Sequence, residues 1–222
     1  MRPLTLEKPK PMLEILGKPL LRHIVDAIPQ EIDEIVLVVG YLKEHIINYF
    51  GDRFGRFKVR YVEQKEKLGN GHALFLCKEM LEGERFLVLF ADDLQSPKTL
   101  EDMLRHPLSM MVKEVDDPRR FGVVEVDEKG NAVNIIEKPE NPPTNLAATG
   151  VYVLDSRIFS YPLVRHANGE HFLTDVVTQM TSDYPVKTVA TEFWIPIGYP
   201  EDLKKAEEIL SGETKKSAYV KR

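Results

Sequence analysis

The sequence predicts an α/β fold in which helices cover a mixed, mainly parallel sheet. Short apolar runs rich in β-branched residues alternate with amphipathic stretches of helical period, which is typical of successive strand–helix units. In the second half, the turn Glu128-Lys129-Gly130-Asn131 joins two strand-like runs and predicts an antiparallel hairpin. A chain of 222 residues suits one large domain or at most two small ones. We expect a domain over 1–212 and a polar, frayed tail over 213–222.

In the first half of the chain, apolar periodicity separates helices from strands. The predicted helices cover 19–28, 43–50 and 72–81, and the predicted strands cover 35–39, 57–62 and 86–91. The first helix is indicated by Pro19, a favoured first residue, by apolar residues that share one face, and by Pro29, which ends it. The run 35–39 is continuously apolar, so we expect a strand that is buried on both faces, and the run 86–91 is the best candidate for a buried strand.

The second half of the chain contains more strands than helices. The predicted strands cover 108–115, 121–126, 132–136 and 147–154, and the predicted helices cover 170–180 and 200–210. The last helix ends at Ser211-Gly212, a common helix stop. This half therefore contributes the antiparallel part of the fold.

Composition excludes several classes of function. The formal net charge is −5, so nothing global attracts nucleic acid or an anionic membrane, and an anionic substrate needs cations placed one by one. The single cysteine, Cys77, allows neither a disulfide framework nor a multi-cysteine metal site. No apolar run approaches the ~20 residues that cross a bilayer, and the N-terminus has neither a signal peptide nor a lipidation motif. A cytoplasmic location is the default expectation.

Two features could bind a polyphosphate. Asp92-Asp93 directly follows the strand 86–91, and a carboxylate beyond a strand's carboxyl end can hold Mg²⁺ against phosphates. A helix N-cap or a turn after the strand is the alternative interpretation. The segment that carries Arg2, Lys8 and Lys10 is stiffened by prolines, so its cations could hold phosphates at a small ordering cost. The alternative is a solvated basic stretch.

Two further features could bind a base and a sugar. Gln64 precedes Leu68-Gly69-Asn70-Gly71, and a glutamine amide can match the imide edge of uracil or thymine while glycine allows close backbone approach. Glycine-rich loops more often mark simple turns. Glu137-Lys138 follows a strand, where a carboxylate can accept from sugar hydroxyls and a lysine can meet a phosphate. An exposed ion pair is the alternative there.

In this order, the features resemble the sugar-phosphate nucleotidyltransferases, which include glucose-1-phosphate thymidylyl- and uridylyltransferases and N-acetylglucosamine-1-phosphate uridylyltransferase. The matching motifs, which extend over residues 1 to about 210, are RPLT at 2–5, PK at 9–10, GKPLL at 17–21, LGNGHA at 68–73 after Gln64, FGVV at 121–124, EKP at 137–139, TGVY at 149–152 and WIPIGYP at 194–200. Each motif is weak alone, but their shared order is specific. The resemblance implies a Rossmann-like, three-layer α/β/α nucleotidyltransferase fold with an antiparallel sugar-binding part.

The resemblance also implies a reaction and a set of roles. A sugar 1-phosphate oxygen attacks the α-phosphorus of a nucleoside triphosphate in line, and pyrophosphate leaves with Mg²⁺ as the cofactor. Gln64 favours UTP or dTTP, because guanine would call for a carboxylate. The implied catalytic residues are Arg2, Lys10 and Asp92, with Asp92 as the metal ligand. The implied nucleotide-binding residues are Gln64, Leu68, Gly69 and Asp93, and the implied sugar-phosphate-binding residues are Gly122, Glu137, Lys138 and Thr149.

The sequence departs from the family pattern at two important places, and in addition Asn70 stands where the family favours Thr. It begins inside the signature loop, so we expect the first strand and the glycine-rich GxGTR part either to lie upstream or to be lost. Pro196 stands where the family usually has a second metal-binding Asp or Asn, and proline cannot ligate Mg²⁺ through its side chain. These departures motivate the alternative of a catalytically impaired nucleotide-sugar-binding or regulatory homologue. Whether the protein is a homo-oligomer stays open.

Other α/β enzymes fit the sequence less well. A dehydrogenase of the dinucleotide-binding type would carry G-x-G-x-x-G after a strand, and no predicted strand is followed by that motif. A Ser-His-Asp hydrolase would carry a G-x-S-x-G elbow, which is also missing from the sequence. The nucleotidyltransferase interpretation is therefore preferred over both.

Overall fold

The computed structural model describes Met1 and residues 3–212, and within them the chain forms two compact units. The first unit consists of the described residues of Met1–Glu63, Phe90–Leu100 and Phe193–Arg222. The second consists of Gln64–Leu89 and Glu101–Glu192. The single domain expected over 1–212 stays a prediction, and the expected tail, 213–222, lies outside the described residues.

The helices and strands follow the predicted order with a few additions. The helices are α1 (Leu20–Asp26), α2 (Lys43–Phe50), α3 (Gly69–Phe75), α4 (Pro97–Leu104), α5 (Leu173–Thr181) and α6 (Pro200–Leu210). The strands are β1 (Glu14–Ile15), β2 (Lys18–Pro19), β3 (Glu34–Val39), β4 (Arg53–Phe54), β5 (Phe57–Glu63), β6 (Arg85–Leu89), β7 (Asp93–Gln95), β8 (Ser109–Glu114), β9 (Gly122–Val126), β10 (Asn131–Glu137), β11 (Leu146–Asp155), β12 (Val186–Ala190) and β13 (Trp194–Pro196). Short 3₁₀ turns occupy Lys10–Met12, Lys78–Met80 and Ser156–Ser160.

The helix predicted over 72–81 is wrong in its bounds. It begins earlier, at Gly69, and ends at Phe75, and a separate 3₁₀ turn follows. The cause of the early end is visible in the backbone, because the Cys77 N–H donates to the Leu74 carbonyl at 2.9 Å. That bond spans three residues rather than four, so the helix tightens and stops.

The first unit is built on a small sheet that two helices cover. β3 runs parallel to β5, with Glu34 opposite Lys58, and β4 pairs antiparallel to β5. Residues from α1, α2 and the sheet meet in one apolar cluster, which contains Met12, Leu21, Val25, Val39, Ile46, Phe50, Phe57 and Val59. Burial of these side chains is the main stabilising contribution in this unit.

The second unit contains a six-stranded sheet whose strand order is β6-β11-β8-β12-β10-β9. An additional pairing, Ala147 with Val123, joins β11 to β9, so five of the strands form a closed ring. α5 lies against β10, where the Ile135 N–H donates to the Thr178 hydroxyl at 3.1 Å and that hydroxyl donates to the Ile135 carbonyl at 3.2 Å. The buried face of α5 thus holds the helix in a defined position against the sheet.

The pairing is mixed, as expected, but parallel pairs are its smaller part. Among the described residues only β3 with β5 and β8 with β12 are parallel. The predicted hairpin is confirmed, because β9 pairs antiparallel to β10 around a turn in which Gly130 has a φ of +73°. Apolar runs indicate burial, and they do not distinguish parallel from antiparallel neighbours.

The two strands that were predicted to be buried, 35–39 on both faces and 86–91, are only half-buried. β3 pairs with β5 and β6 pairs with β11, and within the described part of the chain neither has a partner along its other edge. Four successive residues of each strand, 35–38 and 86–89, keep part of their surface exposed. An open edge leaves one side of a strand uncovered, which an apolar run alone does not reveal.

Among the described residues, no helix has the length and the apolar character that a membrane crossing requires.

Candidate active site

The first unit places Lys10 beside Asp92, as the sequence predicted for a shared phosphate site. The Lys10 ammonium donates to the Asp92 carboxylate at 2.8 Å, although the two residues are 82 positions apart. Lys10 begins a 3₁₀ turn whose entry is fixed by Pro9, and Asp92 lies between β6 and β7. Their side chains are 24% and 44% exposed, so solvent or a ligand can reach both charges. The pair is a cation and an anion held together at a strand end.

Asp93 has a different environment from its neighbour Asp92. The indole N–H of Trp194 donates to the Asp93 carboxylate at 3.0 Å. Desolvation raises the pKa of Asp93 above its ordinary value, the charge of Asp92 adds to the rise, and the Trp194 bond opposes it. Asp93 also lies opposite Pro196 where β7 pairs with β13. This carboxyl is therefore a structural acceptor for Trp194.

The donor set around Asp92 fits a magnesium ion that is shared with a substrate. Among the described residues the second carboxylate oxygen of Asp92 accepts no hydrogen bond, so it is available to a cation. Across the described residues, no three His, Cys, Asp or Glu side chains are grouped so as to hold a metal ion. Mg²⁺ commonly takes one or two carboxylates and completes its shell with water and phosphate oxygens. One exposed carboxylate is enough for that mode of binding.

The remaining cations of the proline-rich segment contribute less. Arg2, a predicted catalytic residue, lies outside the described residues. Lys8 donates to Glu14 at 2.9 Å, and about half of each side chain is exposed. Such exposed pairs contribute about 0–1 kcal/mol, so Lys8 belongs to the solvated surface. Lys10 is the described cation that faces the acidic strand end.

In the second unit, Gln64 bonds to the glycine-rich loop. Its side-chain N–H donates to the Gly69 carbonyl at 3.0 Å, and the same nitrogen lies 3.0 Å from Nδ1 of His72. A carbonyl can only accept, so the Gly69 contact fixes which end of the amide is nitrogen. The amide oxygen of Gln64 has no hydrogen-bond partner in the described part of the chain. It is an acceptor held in a fixed orientation.

Gly69 is required at its position for two reasons. Its φ is +89°, a conformation that other residues rarely adopt. A Cβ at Gly69 would lie 2.4 Å from the carbonyl oxygen of His171 and 2.8 Å from its nitrogen. The loop and the segment before α5 are also joined by backbone bonds, from His171 N–H to the Leu68 carbonyl at 2.8 Å and from Gly71 N–H to the His171 carbonyl at 2.9 Å.

Gly122, Glu137 and Lys138 lie together at one end of the β9–β10 hairpin. Glu137 pairs with Gly122 across the hairpin, and its carboxylate is 3.3 Å from the Lys138 ammonium. The Thr174 hydroxyl donates to the other carboxylate oxygen at 3.2 Å. A Cβ on Gly122 would lie 3.0 Å from the methyl carbon of Thr174, so glycine keeps this cluster close.

Lys138 has an unusual backbone. Its φ is +45°, in the left-handed region, although it is not glycine. Its N–H donates to the Phe121 carbonyl at 3.0 Å, and its ammonium lies 5.4 Å from the centre of the Phe172 ring. Left-handed backbone costs about 1–2 kcal/mol for an ordinary residue, and such strain clusters at functional positions. The turn thereby presents the Lys138 side chain, which is 56% exposed, beside Glu137.

Two outcomes differ from the sequence expectations. Thr149 was expected to contact the sugar, but it is 1% exposed and its hydroxyl donates to the Met111 carbonyl at 3.3 Å, so its side chain offers no surface to a ligand. Thr174 was not predicted, because nothing in the sequence links it to a carboxylate 37 positions away. Only the docking of α5 on β10 brings Thr174 to Glu137.

Comparison with known proteins assigns the family. A family model described as "Nucleotidyl transferase" matches residues 1–212. The chain belongs to the nucleotidyl transferase family. The resemblance drawn from the motifs is thereby confirmed, and so is the Rossmann-like fold class.

Two curated relatives differ in how much of them the chain covers. The bifunctional protein GlmU of Methanocaldococcus jannaschii is 37% identical over 215 residues, which is 95% of this chain and 51% of that relative. The chain thus spans about half the length of the GlmU relatives that it matches. AglF of Haloferax volcanii, a UTP–glucose-1-phosphate uridylyltransferase, is 34% identical, with 96% of this chain and 93% of the relative covered.

A solved structure of this nucleotidyl transferase fold is also similar. It is a UDP-glucose pyrophosphorylase in complex with UDP-glucose, and it superposes with a TM-score of 0.84 at 24% identity. The match covers 96% of this chain and 94% of that structure. At this level of identity the likeness establishes the fold.

Proposed function

We propose that this nucleotidyl transferase family member transfers a uridylyl or thymidylyl group from UTP or dTTP to a sugar 1-phosphate and releases pyrophosphate. The observation that carries the proposal is the contact of Lys10 with Asp92 at 2.8 Å. A triphosphate brings four negative charges, and the chain's net charge of −5 provides no general attraction for it. A reachable cation beside a reachable carboxylate supplies the two local partners that a metal–triphosphate complex needs. The relatives named above support this assignment.

Lys10 and Asp92 have different proposed roles toward the triphosphate: Lys10 contacts a phosphate oxygen, and Asp92 would hold the metal ion. The Lys10 ammonium is a compact donor that can leave Asp92 for a phosphate oxygen. Asp92 would hold Mg²⁺, which when bound neutralises charge on the phosphates. Once its ammonium contacts a phosphate oxygen, Lys10 can stabilise the negative charge that develops as pyrophosphate leaves. Transfer at the α-phosphorus requires positioning and charge neutralisation more than a general base.

Gln64 supports a pyrimidine base. Uracil and thymine each present an N3–H donor, and the Gln64 amide oxygen is an acceptor without a partner among the described residues. Its orientation is already fixed by the Gly69 carbonyl, so little freedom is lost on binding. Cytosine has no hydrogen at N3 and would present an acceptor to this acceptor. We therefore expect UTP and dTTP to be preferred to CTP.

Glu137 and Lys138 support a sugar phosphate. One Glu137 oxygen accepts from Thr174, and a carboxylate can accept further bonds from sugar hydroxyls. The exposed Lys138 ammonium is a partner for the phosphate of the sugar. The left-handed backbone at Lys138 already orients this side chain, so binding does not have to order a flexible loop. These groups favour an anionic sugar over a neutral one.

A panel of assays tests the proposal. Pyrophosphate release is measured with UTP, dTTP, CTP, ATP and GTP against glucose 1-phosphate and N-acetylglucosamine 1-phosphate, with Mg²⁺ present. We expect release with UTP or dTTP and a loss of at least about a hundredfold in kcat/KM for Lys10→Ala, the magnitude typical of a charge-stabilising group. Lys8→Ala is the matched control from the same segment. Equal activity of the two variants would remove Lys10 from the reaction.

Pro196 favours a second candidate, a homologue that binds nucleotide sugar without turnover. It stands opposite Asp93 in the β7–β13 pair, and its side chain cannot ligate a metal. Calorimetry with UDP-glucose distinguishes the two candidates. Heat of binding in the absence of pyrophosphate release supports the second one, and turnover excludes it.

A further inference from the structure

Helix α5 begins without a cap of its own. Its N-cap residue, Phe172, makes no capping bond through its side chain, and the first backbone N–H groups of a helix lack partners inside the helix. The missing acceptor comes from Asn70, whose side-chain oxygen accepts from the Leu173 N–H at 2.8 Å. The two residues are 103 positions apart. A residue of the glycine-rich loop therefore anchors the start of α5.

The next residue of α5 holds the sugar-side carboxylate. Thr174 is 5% exposed, and its hydroxyl donates to Glu137 at 3.2 Å. Gly122 packs closely against this contact, because a Cβ on Gly122 would lie 3.0 Å from the Thr174 methyl carbon and 3.4 Å from the Glu137 oxygen. A shift in the first turn of α5 would consequently move the Glu137 carboxylate.

The loop end of this connection is equally constrained. Asn70 lies between Gly69 and Gly71, and both glycines approach the backbone of His171 closely. Gln64 donates to the Gly69 carbonyl at 3.0 Å, so the amide proposed to contact the base is bonded to the residue next to Asn70. Each end of the connection is a group assigned to a different substrate.

We propose that Asn70 is a positioning residue that couples two parts of the site. One is the glycine-rich loop Leu68-Gly69-Asn70-Gly71, called here the base-binding loop, and the other is the Glu137 carboxylate, which is proposed to bind the sugar. The path runs from Gln64 through Gly69 and Asn70 to Leu173, and then from Thr174 to Glu137. It rests on the proposed function, since it joins the two substrates of that reaction. A nucleotide that orders the loop holds α5 in place, so the sugar 1-phosphate meets a preset Glu137 and binds more tightly. By reciprocity, the sugar 1-phosphate strengthens nucleotide binding by the same factor.

The variants break each link and then restore it. Asn70→Ala removes the acceptor, and Asn70→Asp keeps an oxygen at the same distance from the backbone. Thr174→Val removes the hydroxyl, and Thr174→Ser restores it. Asn134→Ala is the matched control, because it also removes a side-chain bond in this unit, the 2.8 Å donation from Asn134 to Glu125 on the hairpin.

The readout is how tightly each substrate binds in the presence and in the absence of the other. For Asn70→Ala and Thr174→Val we expect the KM of sugar 1-phosphate at saturating UTP to rise about tenfold, the usual effect of one lost hydrogen bond. By reciprocity the KM of UTP at saturating sugar 1-phosphate should rise by the same factor, whereas the dissociation constant of UTP without sugar 1-phosphate, measured by calorimetry, should change less than twofold. The double variant should be no worse than either single one. Asn70→Asp and Thr174→Ser should return to within about twofold of the unaltered protein.

The outcomes separate the two proposals. If the unaltered protein releases no pyrophosphate with any combination of nucleoside triphosphate and sugar 1-phosphate in the panel, the proposed function is wrong, and the proposed coupling is then wrong as well. If the unaltered protein is active and Asn70→Ala matches Asn134→Ala in both KM values, the coupling alone is wrong. A similar loss of UTP binding in the absence of sugar 1-phosphate, with a lower melting temperature and no rescue by Asn70→Asp, would show a merely structural role and also overturn the coupling.

Discussion

Replacing Gly69 with alanine should lower the stability of the protein or its affinity for UTP, and the structure shows two separate causes. The first is the left-handed backbone at φ +89°, which costs about 1–2 kcal/mol for a residue with a side chain. The second is the collision of the new Cβ with the His171 oxygen at 2.4 Å and nitrogen at 2.8 Å. Those atoms are backbone, so they cannot swing aside like the end of a long side chain.

Gly83 is a matched control for this change. It also has a left-handed backbone, with φ +76°, but no atom lies within 4 Å of a Cβ built there. Gly83→Ala should therefore show the backbone cost alone, about 1–2 kcal/mol. Gly69→Ala should cost at least about 2 kcal/mol more, unless the loop separates from His171, in which case nucleotide binding is lost instead.

Thermal unfolding and nucleotide binding together measure the effect. For a chain of this size 1 kcal/mol shifts the melting temperature by about 2–4 °C, so the two variants should differ by at least about 4 °C or in affinity for UTP. Calorimetry with UTP supplies the second quantity. The reasoning is refuted if Gly69→Ala and Gly83→Ala have the same melting temperature and both bind UTP as the unaltered protein does.

Three further predictions follow from other parts of the site. Glu137→Gln should weaken sugar 1-phosphate binding about tenfold with little change in UTP binding, since one carboxylate–hydroxyl bond becomes an amide one; equal KM values for variant and unaltered protein would contradict this. The loss of UTP affinity in Lys10→Ala relative to the unaltered protein should grow as salt is lowered, because screening is weakest there, whereas Lys8→Ala should show no such trend; an identical salt dependence of UTP binding in Lys10→Ala and the unaltered protein would rule it out. Asp93→Asn should be more stable than the unaltered protein at pH 8 by about 1–3 kcal/mol and gain little at pH 4. The sign follows from the raised pKa of Asp93, because a folded state that prefers the neutral carboxyl loses stability as pH rises above about 4, the unfolded pKa. Urea unfolding at the two pH values measures it, and a difference that does not vary with pH would speak against the burial of this carboxyl.

Local patterns predicted several elements well because their causes are local. α2 occupies Lys43–Phe50 as predicted, since its amphipathic run is ended by Gly51, which has a φ of +60°. The hairpin of β9 and β10 was likewise readable from its turn residues. Both features depend on neighbours within a few positions, and a sequence displays those directly.

Long-range neighbours could not be read in the same way. Whether β3 and β6 have one partner or two is decided by strand pairing across the chain, and their apolar runs look the same in either case. Short strands such as β7 and β13, with three residues each, carry no periodic signal. Sequence patterns therefore located elements better than they located edges.

The candidate site shows the same division. Motif order predicted Lys10, Asp92, Gln64 and Glu137, and the structure brings Lys10 to Asp92 within the first unit. The contacts of Asn70 with Leu173 and of Thr174 with Glu137 depend on how α5 docks, so no motif reported them. Thr149 lies inside a matching motif but is buried. A motif match indicates the family, and it does not predict which residues of the motif are exposed.

The Mg²⁺ dependence of UTP turnover in the unaltered protein and in Asp92→Asn tests most directly whether Lys10 and Asp92 form the triphosphate site. The substitution keeps the size of the side chain and removes the charge that the ion and the Lys10 ammonium both contact. We expect kcat/KM for UTP to fall at least about a hundredfold and no Mg²⁺ concentration to restore it. Turnover by Asp92→Asn at the unaltered rate, with the same Mg²⁺ requirement, would show that the triphosphate and its metal are bound elsewhere.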